Sequence, residues 1–190
     1  TTSANGDGCG DGVDDASESG AVMGAGAVRR RAAGGCGGAA GMAVLLPAAG
    51  SVPVSAPALA AEAPGLRPRT CEPQGFDDVA RSLAAGKKQS NAAPSGSICD
   101  AIVTPTPGDL TFPILQRLCG PGLVVTDDEA MKAMALAFSR LKIVLEPGGA
   151  VSLAAALFHR DQIKGNTVIA VCTGGNVDAA MFQDALTRFA

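Results

Sequence analysis

Short apolar runs alternate with segments of helical periodicity from residue 42 to residue 190. The apolar runs, which predict strands, are residues 42–46, 70–71, 123–125 and 167–172. The segments with helical spacing, which predict helices, are residues 57–63, 76–85, 126–142, 149–160 and 178–189. Residues 87–113 show neither pattern and are predicted to be rich in loops. Because strands that alternate with helices favour a parallel sheet covered on both faces, the pattern predicts an α/β fold.

The helix predicted after the third strand carries the clearest local signals. Thr126 and Glu129 match a capping box, in which the threonine oxygen accepts from the amide of Glu129 and the glutamate side chain reaches back. The apolar residues that share one face of this helix are Ala130, Met134, Ala137, Phe138 and Leu141. We therefore predict that this face packs on the sheet.

Residues 1–41 differ in composition from the rest of the chain. They are rich in Gly, Ala, Ser and Asp, and they show no period of a helix or a strand. Such a segment buries too little apolar surface to offset the entropy lost on ordering. We predict a flexible, low-complexity leader over residues 1–41 and a folded unit over residues 42–190.

Composition narrows the possible functions. The chain has 190 residues, a length typical of one domain, and 47% of them are hydrophobic. With a net charge of −3 and no Trp or Tyr, it lacks the basic surface and stacking platforms of a nucleic-acid binder. No apolar run reaches the ~18 residues that a membrane-spanning helix needs. The six cysteines stand singly, without a CxxC pair, so we expect reduced thiols in a cytoplasmic protein.

Two motifs combine a polar side chain with a glycine turn. Thr173-Gly174-Gly175-Asn176 places a hydroxyl and two glycines directly after the last predicted strand, where ligands of parallel sheets bind. Glu146 precedes Pro-Gly-Gly at the start of an alanine-rich helix. Taken alone, the first motif also fits an ordinary tight turn, and the second fits a solvated acid.

A third motif brings together oxygen ligands. Glu72 and Asp78 are six positions apart around a turn, with the carbonyl of Phe76 between them. Carboxylate and carbonyl oxygens are the ligands that Mg²⁺ and Ca²⁺ prefer. Acids at the start of a helix also serve as caps, so this motif alone leaves both interpretations open.

The order and spacing of five motifs resemble the threonine dehydratase and serine racemase family. The motifs are Glu-Pro-Gln-Gly-Phe-Asp-Asp at 72–78, Ser-Ile-Cys-Asp-Ala at 97–101, Thr-Asp-Asp-Glu at 126–129, Leu-Lys-Ile-Val-Leu-Glu-Pro at 141–147 and Thr-Gly-Gly-Asn-Val-Asp at 173–178. The resemblance covers residues 66–190. It implies the tryptophan-synthase-β-like fold of pyridoxal-phosphate (PLP) enzymes, fold type II, here as a partial parallel sheet with flanking helices.

The resemblance also implies roles for individual residues. Thr173 stands where the family has a Ser or Thr hydroxyl that meets the pyridine nitrogen of PLP, and Glu146 would lie near the ring. Glu72, the carbonyl of Phe76 and Asp78 match a divalent-cation site for Mg²⁺ or Ca²⁺ that many members carry. The family further implies a small amino-acid substrate and a homo-oligomer.

Two parts of the family's pattern are not found in this sequence. The family binds its cofactor through an upstream lysine in a Ser-Phe-Lys context, and no lysine here has that context. The family's phosphate loop of four glycines corresponds to Ala48, Ala49, Gly50 and Ser51, with Pro53 and Pro57 where a helix should begin. We assign no catalytic residue to this chain and interpret residues 42–190 as the C-terminal half of the cofactor-binding domain.

Three functions follow from this interpretation. The first is dehydration and deamination of L-threonine or L-serine to a 2-oxo acid and ammonia, by a larger enzyme of which this chain forms a part. The second is serine racemisation, which the motifs do not separate from elimination. The third is a catalytically inactive remnant, because the lysine needed for covalent chemistry is not in the expected context.

Overall fold

A five-stranded sheet forms the centre of the fold in the computed structural model, which describes residues 27–28, 42–48, 52–63 and 65–190. The strands are β1 (Ala27–Val28), β2 (Met42–Pro47), β3 (Arg69–Pro73), β4 (Leu123–Val125) and β5 (Thr167–Ala170), in the spatial order β1-β5-β2-β3-β4. All pairs are parallel except β1 with β5. The predicted parallel sheet is therefore confirmed.

Helices cover both faces of this sheet. They are α1 (Val52–Glu62), α2 (Asp78–Ala85), α3 (Phe112–Leu118), α4 (Asp127–Leu136), α5 (Pro147–Phe158) and α6 (Ala179–Phe189). Alternate residues of β2 point to opposite faces: Ala43 and Leu45 pack with α4, α5 and α6, whereas Val44 and Leu46 pack with α1, α2 and α3. Burial on both faces explains why β2 is an unbroken apolar run.

The start of α1 differs from the sequence prediction. The helix begins at Val52, five residues earlier than predicted, so the expectation that the prolines prevent a helix there is wrong. Pro53 lies in the first turn, where a backbone N–H has no partner within the helix and proline costs little. Pro57 lies further inside and removes one helical hydrogen bond.

The segment 87–113, predicted to be loop, ends in the start of a helix that the sequence analysis missed. Helix α3 begins at Phe112, and Phe112 and Leu115 are its two buried residues. A helix of seven residues with two buried apolar positions is too short to show a helical period in the sequence. A single 3₁₀ turn, Asp100–Ile102, also interrupts this segment.

The capping box of α4 is confirmed, but the apolar face predicted for it is only partly buried. Thr126 Oγ1 accepts from the amide of Glu129 at 3.2 Å, and Glu129 Oε2 accepts from the amide of Thr126 at 2.8 Å. After Leu136 the chain continues as a π-helical turn, Ala137–Leu141. The wider turn rotates the following side chains away from the face predicted for an α-helix. Phe138 and Leu141 are therefore 37% and 48% exposed.

Other boundaries agree within a few residues. Strand β5 ends at Ala170, two residues before the predicted end, and α2 begins at Asp78 instead of residue 76. The predicted leader, residues 1–41, lies outside the described residues except for Ala27–Val28, which pair with β5. None of the helices in the described part of the chain is long and apolar enough to cross a membrane.

Candidate cofactor site

The loops that follow β2, β3 and β5 lie side by side, because these three strands are neighbours and parallel. The amide of Ala48, directly after β2, donates to the carbonyl of Cys71 in β3 at 2.9 Å. The amide of Val171, after β5, donates to the carbonyl of Leu45 in β2 at 3.0 Å. The carboxyl end of the sheet therefore gathers the residues that the sequence analysis selected.

Gly149 brings the loop after β5 against the first turn of α5. A Cβ atom at Gly149 would lie 1.6 Å from the carbonyl oxygen of Thr173, a distance at which no side chain fits. The amide of Thr173 donates to the carbonyl of Gly149 at 3.4 Å. The absence of a side chain at Gly149 thus allows Thr173 to lie directly against α5.

Gly174 allows Glu146 to approach the same loop. Gly174 has φ +73°, and a Cβ atom there would lie 2.2 Å from Glu146 Oε1. The amide of Glu146, the residue before α5, donates to the carbonyl of Gly174 at 3.3 Å. The structure therefore brings together Thr173 and Glu146, the two residues predicted to contact the cofactor ring.

A cavity of about 450 Å³ opens beside Glu146, and Thr173 is not among its lining residues. Its polar lining comes from Asp100, Glu146, Asn176 and Asp178, and Asp178 also caps α6 by accepting from the amide of Ala180 at 3.1 Å. The volume lies within the ~300–1,000 Å³ of small-molecule sites. Asp100, Asn176 and Asp178 belong to the motifs noted above but were not predicted as site residues, because their convergence depends on the fold.

The predicted phosphate loop lies only partly in the described residues. Ala48 is buried, whereas Ala49, Gly50 and Ser51 lie outside them. Ala48 lines a second cavity, of about 240 Å³, together with Val52 and Pro53 from the start of α1 and Thr70, whose buried hydroxyl has no hydrogen-bond partner. Because the start of α1 follows this loop directly, it offers the helix N-terminus that favours a phosphate group.

The two predicted metal-binding carboxylates lie near the start of α2. Glu72 is 2% exposed, and its oxygens accept from the amides of Val79 at 2.9 Å and Ala80 at 2.7 Å. Burial raises the pKa of Glu72 to about 8; the two amides oppose this effect, and the charge of Asp78 adds to it. Glu72, a residue of β3, therefore caps α2 by accepting these two amide hydrogen bonds.

Asp78 is also held by protein groups. It accepts from Asn91 Nδ2 at 2.9 Å and from Thr104 Oγ1 at 3.3 Å, and burial raises its pKa. Within the described residues, no cluster of three or more His, Cys, Asp or Glu side chains is placed to hold a metal ion. A cation at Glu72 and Asp78 would need the carbonyl of Phe76 or water as further ligands, so the metal site stays a prediction.

The cysteines that the structure describes are free, and most are buried. Burial raises the pKa of Cys71 and Cys99 to about 12 and that of Cys119 to about 11. Thiols with such pKa values are poor nucleophiles at neutral pH. These cysteines belong to the core and not to the site.

Comparison with known proteins gives a consistent result. Residues 30–174 match the family described as pyridoxal-phosphate dependent enzyme. Serine racemase of Dictyostelium discoideum is 35% identical over 149 residues, which cover 76% of this chain and 46% of that protein. L-threo-3-hydroxyaspartate ammonia-lyase of a Pseudomonas species is 34% identical over 115 residues, which cover 60% of this chain and 36% of that protein.

A solved structure supports the same fold. The crystal structure of a threonine deaminase from T.th. superimposes with a TM-score of 0.66 at 34% identity, covering 72% of this chain and 50% of that one. The predicted fold class is thereby confirmed. The chain spans half or less of the length of each of these relatives.

Proposed function

Because the chain belongs to the family of pyridoxal-phosphate dependent enzymes, we propose that it forms part of an enzyme that converts L-threonine or L-serine to a 2-oxo acid and ammonia. The observation that carries this proposal is the position of Thr173 and Glu146 at the carboxyl end of the sheet, where Thr173 lies against Gly149 and Glu146 lies against Gly174. The threonine deaminase structure supports the choice of reaction.

The residues present fit the ring end of the cofactor, whereas three of the four residues of the predicted phosphate loop lie outside the described residues. When bound, PLP supplies an electron sink for the carbon from which the substrate loses a proton. Thr173 would present a neutral hydroxyl to the pyridine nitrogen; unlike a carboxylate, it does not hold that nitrogen protonated. Glu146 would orient the ring, and the start of α1 behind Ala48 would hold the phosphate.

The charge of the larger cavity supports a substrate without a second carboxylate. Asp100, Glu146 and Asp178 all line this cavity, and no cation is among its lining residues. A further negative charge on the substrate would be repelled by these acids, although solvent weakens the repulsion because Asp100 and Asp178 are exposed. L-serine and L-threonine fit this lining better than the hydroxyaspartate named for one of the relatives.

We also propose that Glu72, Asp78 and the carbonyl of Phe76 bind Mg²⁺ or Ca²⁺. The proximity and burial of the two acids support this, because a divalent cation would compensate the charges that burial disfavours. Either ion is expected to raise the unfolding temperature by mass action. Asp78→Ala should abolish this increase. Asp77→Ala removes the same charge, but Asp77 only pairs with Arg81 at 3.4 Å, so this variant should keep most of the increase in unfolding temperature. Equal responses of the two variants would contradict the metal site.

Serine racemisation is the second candidate. The observation in its favour is the 35% identity to a serine racemase over 76% of this chain. The two activities differ in their product: elimination yields pyruvate from L-serine, and racemisation yields D-serine. In either case the family resemblance supports a homo-oligomer as the working state.

The test uses the longest polypeptide that the gene encodes, incubated with PLP and either L-threonine or L-serine. We expect a 2-oxo acid and ammonia in equal amounts, and chiral chromatography would detect D-serine if racemisation dominates. The 190-residue chain alone should form neither product, because no lysine lies in the family's context. Absence of both products from the longest polypeptide would contradict the proposal and leave an inactive remnant.

A further inference from the structure

The amino end of the sheet, opposite the candidate cofactor site, contains a cavity of about 390 Å³. Segments that enter four parallel strands line it: Met42 at the start of β2, Arg69 at the start of β3, Gly120 just before β4 and Lys164 just before β5. Since the six residues of β2 span about 20 Å, this cavity is remote from the loops at the carboxyl end. It has no part in the proposed chemistry.

Three cations face this cavity. Arg67, Arg69 and Lys164 all line it, and no carboxylate is among the lining residues. Asp161, the acid nearest to a lining residue along the sequence, does not contribute to the lining. The chain as a whole carries a net charge of −3, so the cluster does not reflect a generally basic protein.

Arg69 forms the fixed part of this site. Its guanidinium donates to the carbonyl of Pro121 at 2.6 Å and to the carbonyls of Gln162 and Gly122, which ties the segments before β4 and β5 to the start of β3. These are neutral partners, and three of its five N–H groups are used. Burial lowers the pKa of Arg69, as expected for a half-buried cation without a carboxylate beside it.

Arg67 and Lys164 form the adjustable part. Both side chains are exposed, and neither forms a salt bridge within the part of the chain that the structure describes. Like charges that share one concave space repel each other and concentrate anions from solution. An anion that reaches all three cations would remove this repulsion.

We propose that the cavity at the amino end of the sheet binds a small multivalent anion, either a phosphate ester or a polycarboxylate. Arg69 has two further N–H groups, one on each terminal nitrogen, that can donate to oxygens of a phosphate or carboxylate group. Arg67 and Lys164 would pair with the other negative charges of the anion. A single monovalent anion would leave most of the repulsion uncompensated, so multivalent anions are preferred.

Titration calorimetry with the 190-residue chain, without added PLP, tests this site. Pyrophosphate and citrate are the two probes, and sodium chloride at equal ionic strength is the reference. We expect at least one probe to bind with a Kd below about 1 mM, a weak but specific affinity. Binding of pyrophosphate indicates a phosphate-ester ligand, and binding of citrate alone indicates a polycarboxylate.

The double variant Arg67→Gln/Lys164→Gln should weaken this binding at least about tenfold, since charged hydrogen bonds to the anion are lost. Arg117→Gln/Lys87→Gln removes the same charge from exposed positions elsewhere and should bind as the unchanged chain does. The charge-preserving variant Arg67→Lys/Lys164→Arg should retain most of the affinity. Circular dichroism of each variant confirms that the fold is intact.

Two results would overturn the proposal. One is heat indistinguishable from that of sodium chloride for both probes, which would make the three cations an ordinary solvated surface. The other is equal affinity in the Arg67→Gln/Lys164→Gln variant and the unchanged chain, which would place the anion elsewhere, for example at the start of α1.

Discussion

The two ends of the sheet are built in different ways. At the carboxyl end, backbone and short side chains meet closely: Gly149 lies against the carbonyl of Thr173, and Gly174 lies against the carboxylate of Glu146. At the amino end, long cationic side chains surround a cavity, and Gly120 has room for a Cβ atom 3.5 Å from Arg69 Cγ. The site at the carboxyl end is defined by steric fit and the cavity at the amino end by charge, although Gly122, just before β4, also lies tightly against Ala80.

This difference predicts how each end responds to substitution. A site defined by steric fit cannot accept an added atom without movement of the backbone, so its substitutions should affect stability first. A site defined by exposed charges should lose ligand affinity while its stability hardly changes. Acids line the cavity at the carboxyl end and cations line the one at the amino end, so the two ends should also select ligands of different charge.

The largest effect is expected for Gly149→Ala. The new Cβ atom would overlap the backbone carbonyl of Thr173 at 1.6 Å, and no side-chain rotation relieves this overlap. We expect a loss of more than about 3 kcal/mol in the free energy of unfolding, measured by urea denaturation. Gly120→Ala is the matched control from the amino end, with an expected change within about 0.5 kcal/mol. Similar losses for both variants would refute the contrast between the two ends.

A smaller loss is expected for Gly174→Ala, about 2 kcal/mol. Part of it arises from a left-handed φ of +73° in a residue with a Cβ atom, and part from displacement of the Glu146 side chain. Because Glu146 can rotate away, combining Gly174→Ala with Glu146→Ala should recover part of the loss. Urea denaturation of the single and double variants measures this recovery. Additive losses in the double variant would show that the two residues do not interact.

Thr126→Ala, at the carboxyl end of β4, should cost about 1 kcal/mol because it removes the N-cap of α4. Thr187 makes only a hydrogen bond to the carbonyl of Gln183 within α6, so Thr187→Ala is the control with little expected change. Thermal denaturation of the two variants measures the difference. An unchanged midpoint for Thr126→Ala would be evidence against a stabilising role for the capping box.

The smallest effect on stability is expected for Arg67→Gln/Lys164→Gln without ligand. Removal of two exposed like charges should leave the free energy of unfolding unchanged or raise it by at most about 0.5 kcal/mol. Urea denaturation at low ionic strength, where repulsion is strongest, measures this change. A large loss of stability would mean that the two cations hold the fold together and are not reserved for a ligand.

Much of the carboxyl end could be predicted from the sequence. The run 42–46 is consistent with a buried parallel strand, and the glycine turn after β5 marks a close approach of backbone. The roles of Thr173 and Glu146 came from the family resemblance, because a turn and an acid alone are common features. The contact between Glu146 and Gly174 depends on how α5 packs on β5, which no local pattern encodes.

The amino end could not be predicted in the same way. Arg67 and Lys164 are nearly one hundred residues apart, and only the strand order brings the segments before β3 and β5 together. The π-helical turn at Ala137–Leu141 was missed for a related reason. The apolar spacing of its sequence is that of an α-helix, so nothing in the spacing indicates the wider turn of the backbone. No local apolar pattern in the sequence encodes either feature.

Amide NMR spectra of the 18.7 kDa chain, recorded with increasing PLP, test the central claim that the carboxyl end of the sheet is the cofactor site. The account predicts the largest shifts at residues 148–149 and 173–176, around the pair formed by Thr173 and Glu146, and their loss in Thr173→Ala but not in Thr173→Ser. Shifts confined to the amides of residues 67, 120, 122 and 164 would contradict the account, and so would spectra that PLP leaves unchanged.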